Sequence, residues 1–226
     1  MTTLANLADR AQNAISDSGA TTWSQSVVEE WTVEGIRDYN KHFPRTVNGT
    51  ISTTADDHQY DLPSDFRGIV SVEYPTGQDP PEYLAQKSRL GDGFWNQTGF
   101  FDVILRRDAS DVAEIVISEA PAAGETITIE YLADHDLNLA SGDTITIPER
   151  HEGIIVEFVI WRAWLELLGA EQQSPTSSSS LLMSQYASNA DRAKRSYVEA
   201  LARALRAGEG ASGRVQWRLD KYDRIY

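Results

Sequence analysis

TITIPERHEGIIVEFVIWRAWLELLGA, residues 144–170, opens on strand-like residues and changes period after Pro148. Pro148 stands just ahead of a turn carrying Glu149 and Glu152, which suits a helix start. From Ile154 to Leu168 apolar residues then cover almost every face, and only Glu157, Arg162 and Glu166 break them. A helix apolar all round must be covered on all sides. A neighbouring subunit does that more easily than one small protomer. Phe158, Trp161, Trp164 and Leu165, with Tyr186 and Tyr197 further on, are therefore expected to pack between subunits.

Downstream, EQQSPTSSSS (171–180) reads as a polar loop. Beyond it Tyr186, Ala190, Ala193, Tyr197, Leu201 and Leu205 recur at helical spacing, which predicts a second helix running antiparallel to the first. AGEGASG (207–213) then leads to GRVQWRLDKYDRIY, the last fourteen residues. In it Val215, Trp217 and Leu219 alternate with Arg214, Gln216 and Arg218, the period of a strand with one apolar and one basic face. Together with Tyr222, Ile225 and Tyr226 they form a tethered docking segment suited to adding a strand to a partner's sheet.

Upstream of Pro148 the period is shorter. Ile51, Tyr60 and Leu62, Ile69 to Tyr74, Val103 to Leu105, Ile115 to Ile117, and Ile127, Ile129 and Tyr131 read as short strands separated by turn signals. Such spacing predicts an antiparallel sandwich or small barrel. GDGFWNQTGFF (91–101) reads as an extended loop, with Phe94, Trp95, Phe100 and Phe101 facing a partner. At the N-terminus, Leu4, Leu7, Ala8, Ala11 and Ile15 predict a helix over 3–17. A second helix starts near Ser24–Ser26, where Ser26 and Glu29 fit a capping box, and stops before Pro44. The fold class expected is α+β: a four-helix bundle (1–45 and 148–207), a β-rich insertion (46–147) and an extended tail (208–226).

The 226 residues carry a net charge of −14, unevenly spread. Residues 1–190 hold 11 Lys and Arg against 29 Asp and Glu, and residues 191–226 hold 9 against 5. An acidic body repels phosphates rather than gripping them, which argues against direct reading of nucleic acid. The chain has no cysteine, so disulfides, thiolate zinc sites and cysteine nucleophiles are excluded. No apolar run reaches membrane-spanning length, and no secretory leader opens the chain.

Motifs for chemistry are incomplete. HEGII (151–155) lacks the second histidine of a zinc-protease helix, so His151 reads as a solvated residue at a helix start. DHDLN (134–138) begins like a calcium loop but has Leu139 and Ile145 where glycine and glutamate are needed, and reads as a turn between strands. No nucleophile elbow, phosphate loop or dinucleotide fingerprint is present. Neither an enzyme nor a cofactor or metal site is expected.

YDLPSDFRGIVSVEYP (60–75) is similar to the Y-x-L-P-x-D-F phrase and following apolar strand of the head-to-tail adaptor (connector or head-completion) proteins of tailed viruses, bacteriophages among them. Residues 144–170 resemble the junction of strand, Ile-Pro and very apolar helix in the same proteins. The resemblance implies a structural virion protein of the neck, assembled in the host cytoplasm. It implies a dodecameric ring beneath the portal protein, continuing the channel used in DNA ejection and carrying the stopper or tail. The C-terminal tails would then reach the portal, and DNA would pass without sequence-specific binding. The large insertion departs from the shortest adaptors and is similar to tail-tube or gatekeeper proteins. A competing reading is a ligand- or receptor-binding β module of a virion or cell surface, with the loop at Phe94 and Trp95 as its contact.

Overall fold

The computed structural model describes residues 2–15, 19, 22–105, 113–173 and 179–207. The chain divides into two compact units, one of residues up to Pro44 and from His135 onward, the other Arg45–Asp134. Four α-helices, among the described residues, and two sheets make the mixed α+β fold that the sequence predicts.

In the first unit α1 spans Leu4–Ala14 and buries the predicted stripe of Leu4, Leu7, Ala8 and Ala11. Its first amide groups, which no helix can satisfy internally, are all met. Leu4 and Ala5 donate to the carbonyls of Asp143 (3.0 Å) and Ser141 (2.9 Å), and Asn6 to the Thr3 hydroxyl at 3.3 Å. The second helix, α2, spans Gln25–Asn40, with Ser24 at its N-cap. The expected capping box does not form. Ser26 lies inside the helix with its hydroxyl 3.0 Å from that of Ser24, and Glu29 instead accepts from Ser141 at 2.7 Å.

A 3-10 turn, Glu149–His151, leads into α3, Glu152–Gln173, and α4 spans Ser179–Arg206. Helix thus extends into both ends of the stretch read as a polar loop. Trp161 meets Tyr197 while Trp164 meets Tyr186, so the two helices run antiparallel. Ile154 and Ile155 share a core with Leu4, Leu7, Ile36, Tyr39 and Tyr197, and Val159 and Ala163 share another with Ala8, Ala11, Val28 and Trp31. No residue of α3 beyond Ala163 is buried.

Residues 135–147 hold no strand and belong to the helical unit. Thr144 pairs with Thr3 in an isolated bridge, and Ile145 and Ile147 enter the helical core. His135 is buried here, with its ring 3.1 Å from the Phe43 carbonyl and 2.7 Å from the Thr146 hydroxyl. Asn40 grips its backbone from both sides, at 2.9 and 3.1 Å. The segment read as a turn between strands is therefore a strap on the helices. His151 is buried as well, against the Tyr39 hydroxyl and the Phe43 ring, rather than solvated.

The second unit is a sandwich. One sheet orders β1 (Arg45–Ser52), β7 (Thr126–Ala133) and β3 (Phe66–Glu73), all antiparallel with β7 in the middle. The other orders β2 (Gln59–Asp61), β6 (Ala113–Ile117), β5 (Phe100–Leu105) and β4 (Ala85–Gln86). Only its last pair, β4 with β5, is parallel. Alternate residues of β7, Ile127, Ile129, Tyr131 and Ala133, face a core shared with Tyr60, Ile115 and Ile117 of the other sheet.

Candidate functional site

The helical unit carries a surface groove of about 370 Å³ lined from three helices. Helix α2 gives Glu34 and Asp38, α3 gives Phe158, Trp161, Arg162 and Leu165, and α4 gives Lys194, Tyr197 and Val198. The helices meet closely beneath it because Gly35 has no side chain. A Cβ there would stand 3.0 Å from Phe158 Cδ1 and 3.1 Å from Ile155 Cγ2.

The floor is aromatic. Phe158 lies edge-on to both Trp161 (5.6 Å between centroids) and Tyr197 (5.5 Å). Trp161 stacks on Tyr197 at 6.1 Å and 17°, and Lys194 Nζ lies 5.5 Å from the Trp161 ring centre.

The rim is charged but internally paired. Arg162 bridges Glu34 (3.3 Å) and Glu166 (3.0 Å). Asp38 accepts from Lys41 at 2.6 Å and from the Tyr197 hydroxyl. Burial raises the Asp38 pKa, but the hydrogen bonds from Lys41 and Tyr197 and the charges of Lys41 and His42 outweigh it and hold the carboxyl below its usual 3.8. Burial, then the Asp38 bond and charge, push Tyr197 above a free phenol. An apolar floor inside a neutralised rim suits the packing of another protein surface.

Four of the six residues expected between subunits, Phe158, Trp161, Leu165 and Tyr197, are brought together here. Their first partners are one another: Tyr197, 5% exposed, is a core residue of its own protomer rather than a contact residue. Trp164 and Tyr186 pack at 6.0 Å along the same hairpin. Val198, 50% exposed at the groove, stands off the apolar stripe of α4, so the helical period does not mark it. Glu34 and Asp38 carry no signal in the sequence beyond their spacing of four on one helix.

The expected partner-facing loop of the sandwich is largely turned inward. Phe94 is fully buried and Phe101 lies in the core, while Phe100 sits half-buried with Lys87 Nζ 4.5 Å from its ring centre. Trp95 alone of the four is well exposed, at 52%, and stands edge-on to His58 and Phe94. The docking segment of Arg214, Val215, Trp217, Arg218, Leu219, Tyr222, Ile225 and Tyr226 lies outside the described residues.

Among the described residues no group of three His, Asp or Glu is placed to hold a metal ion, and no helix is long and apolar enough to cross a membrane. A comparison with curated proteins finds no match. The family model described as SU10 adaptor protein matches residues 2–217, nearly the whole chain, and the protein belongs to that family, a structural adaptor of the phage head-to-tail junction.

Proposed function

We propose that this adaptor forms a dodecameric ring beneath the portal protein, extends the DNA channel and gives the stopper or tail its platform. The observation that carries the reading is the state of α3. Ile154, Ile155, Val159 and Ala163 are buried in cores shared with α1 and α2, whereas Trp161 and Leu165 line an open groove with the exposed Val198, and Trp164, Leu167 and Leu168 are only partly buried. Closing a ring covers that flank with a neighbour, as a heterologous interface repeated round an axis does. The role is structural and not catalytic.

The C-terminal tail reaches the portal, with assembly in the host cytoplasm before the neck is complete. The net charge of −18 over residues 1–190 leaves passing DNA without phosphate contacts, so the duplex moves and is not read.

Removing residues 213–226 and, separately, changing Trp95→Ala tests the assignment. The proposal expects the truncated protein to fold and to lose the portal, and the Trp95 variant to bind it normally. Portal binding that survives the truncation and fails on Trp95→Ala would instead favour a recognition module built on the sandwich.

A further inference from the structure

The two edges of the β1–β7–β3 sheet are unlike. On the β3 side the register shifts twice, between Phe66 and Gly68 and between Ile69 and Ser71. Residues 82–84 then cover its end through Leu84 N–H to Val72 O (2.8 Å) and Tyr74 N–H to Glu82 O (3.1 Å). Bulges and covering segments are how sheets blunt an edge. Among the described residues the β1 side has neither. Its eight residues run in unbroken register with β7, from Arg45 opposite Ala133 to Ser52 opposite Thr126.

The direction of the unused hydrogen bonds follows from the residue just beyond. Thr53 N–H donates to Glu125 O at 3.0 Å, toward β7's side of the sheet. By the two-residue alternation of an antiparallel ladder, Ile51, Gly49 and Val47 bond the same way. Thr46, Asn48, Thr50 and Ser52 therefore turn their N–H and C=O outward, where no strand lies alongside among the described residues. These four are exposed and uncharged, and none is the lysine or proline that guards an edge. On the inner face Val47 and Ile51 pack against the core yet remain half-buried at its rim.

We propose that β1 takes a fourth strand, Arg214–Leu219 of a neighbouring copy of this chain. The assignment rests on the ring reading above and names a second contact between one copy and the next, besides the flank of α3 and α4. Added to β1, the segment seats Val215, Trp217 and Leu219 beyond Val47 and Ile51 and leaves Arg214, Gln216 and Arg218 on the solvent side with Asn48 and Thr50. Charge favours it: residues 45–134 hold 6 Lys and Arg against 16 Asp and Glu, and residues 214–226 hold 4 against 2. With a second copy as donor, each chain accepts a strand at one surface and donates one from another, which is the heterologous contact a ring requires. Such a head-to-tail contact generates a ring when its rotation closes. Tyr222, Ile225 and Tyr226 lie past the strand and remain for the portal.

The absence of cysteine makes the test clean. Full-length protein carrying Gln216→Cys is mixed with protein carrying Thr46→Cys, Asn48→Cys or Thr50→Cys in separate preparations, with and without portal, and oxidised. A disulfide joining the two chains is expected for at least one pair, since bonding needs the Cβ atoms about 4 Å apart. Thr50→Pro placed in the Asn48→Cys chain removes only an outward N–H, as edge prolines do, and should abolish that disulfide. Trp217→Asp in the Gln216→Cys chain should do the same without touching β1. A chain carrying both cysteines that closes on itself as a monomer overturns the inference, as does a mixed disulfide unaffected by Thr50→Pro and Trp217→Asp. Rings on the portal without any mixed disulfide overturn it too and leave the ring reading standing. Absence of rings counts against the ring reading itself.

Discussion

The Tyr197 hydroxyl on α4 donates to the Asp38 carboxylate on α2, tying two helices together at the rim of the groove. Lys41 donates to the other carboxylate oxygen. The folded carboxyl titrates below 3.8, so its contribution to stability is complete above about pH 4 and is lost as the pH falls through the folded value. Tyr197→Phe should cost about 1–2 kcal/mol at neutral pH, because the carboxylate keeps its burial and loses a partner. The variant's stability should also fall less steeply on acidification below about pH 4. Urea melts at several pH values measure both effects.

Arg10 on α1 pairs with Glu152 at the start of α3, and the partners differ in exposure, 50% against 2% for their side chains. Loss of either is not equivalent. Arg10→Ala strands a buried carboxylate and should destabilise by about 3 kcal/mol. Glu152→Gln frees an arginine that can reach water and should cost about 1 kcal/mol. Equal effects in thermal unfolding would contradict this asymmetry.

Glycines on neighbouring helices should respond with opposite signs. Gly169 on α3 has open space where a Cβ would go, so Gly169→Ala should stabilise by about 0.5–1 kcal/mol. At Gly35 the new methyl meets Phe158 and Ile155, and Phe158 is held on its other sides by Trp161 and Tyr197. Gly35→Ala should therefore destabilise by about 1 kcal/mol despite alanine's helix preference. Denaturant midpoints of the two variants decide it.

Much of this architecture is legible because the deciding signals are local. Pro148 followed by an unbroken apolar run marks α3, and the alternation of Ile127, Ile129 and Tyr131 marks β7. Features set by distant partners are not. His151 looks like a solvated residue at a helix start until α2 brings Tyr39 to it, 112 residues away in sequence. Strand β4 has two residues and exists because β5 lies beside it. Phe94, in a glycine-rich stretch, points inward where an aromatic loop reads as outward. At the groove the apolar stripes of α3 and α4 were visible, but Val198 and the pairing of Asp38 with Tyr197 depend on how three helices meet.

The ring reading requires a neighbouring copy to close the apolar flank of α3 and α4. Val198→Asp tests it most directly, because that half-exposed side chain contributes little to the protomer's own stability. Native mass spectrometry of the adaptor with its portal measures the outcome. The wild type should give a single closed complex with many adaptor copies. The variant should melt at the wild-type temperature and give portal with few or none. A variant that assembles to the same mass as the wild type would show that no neighbouring copy covers this flank.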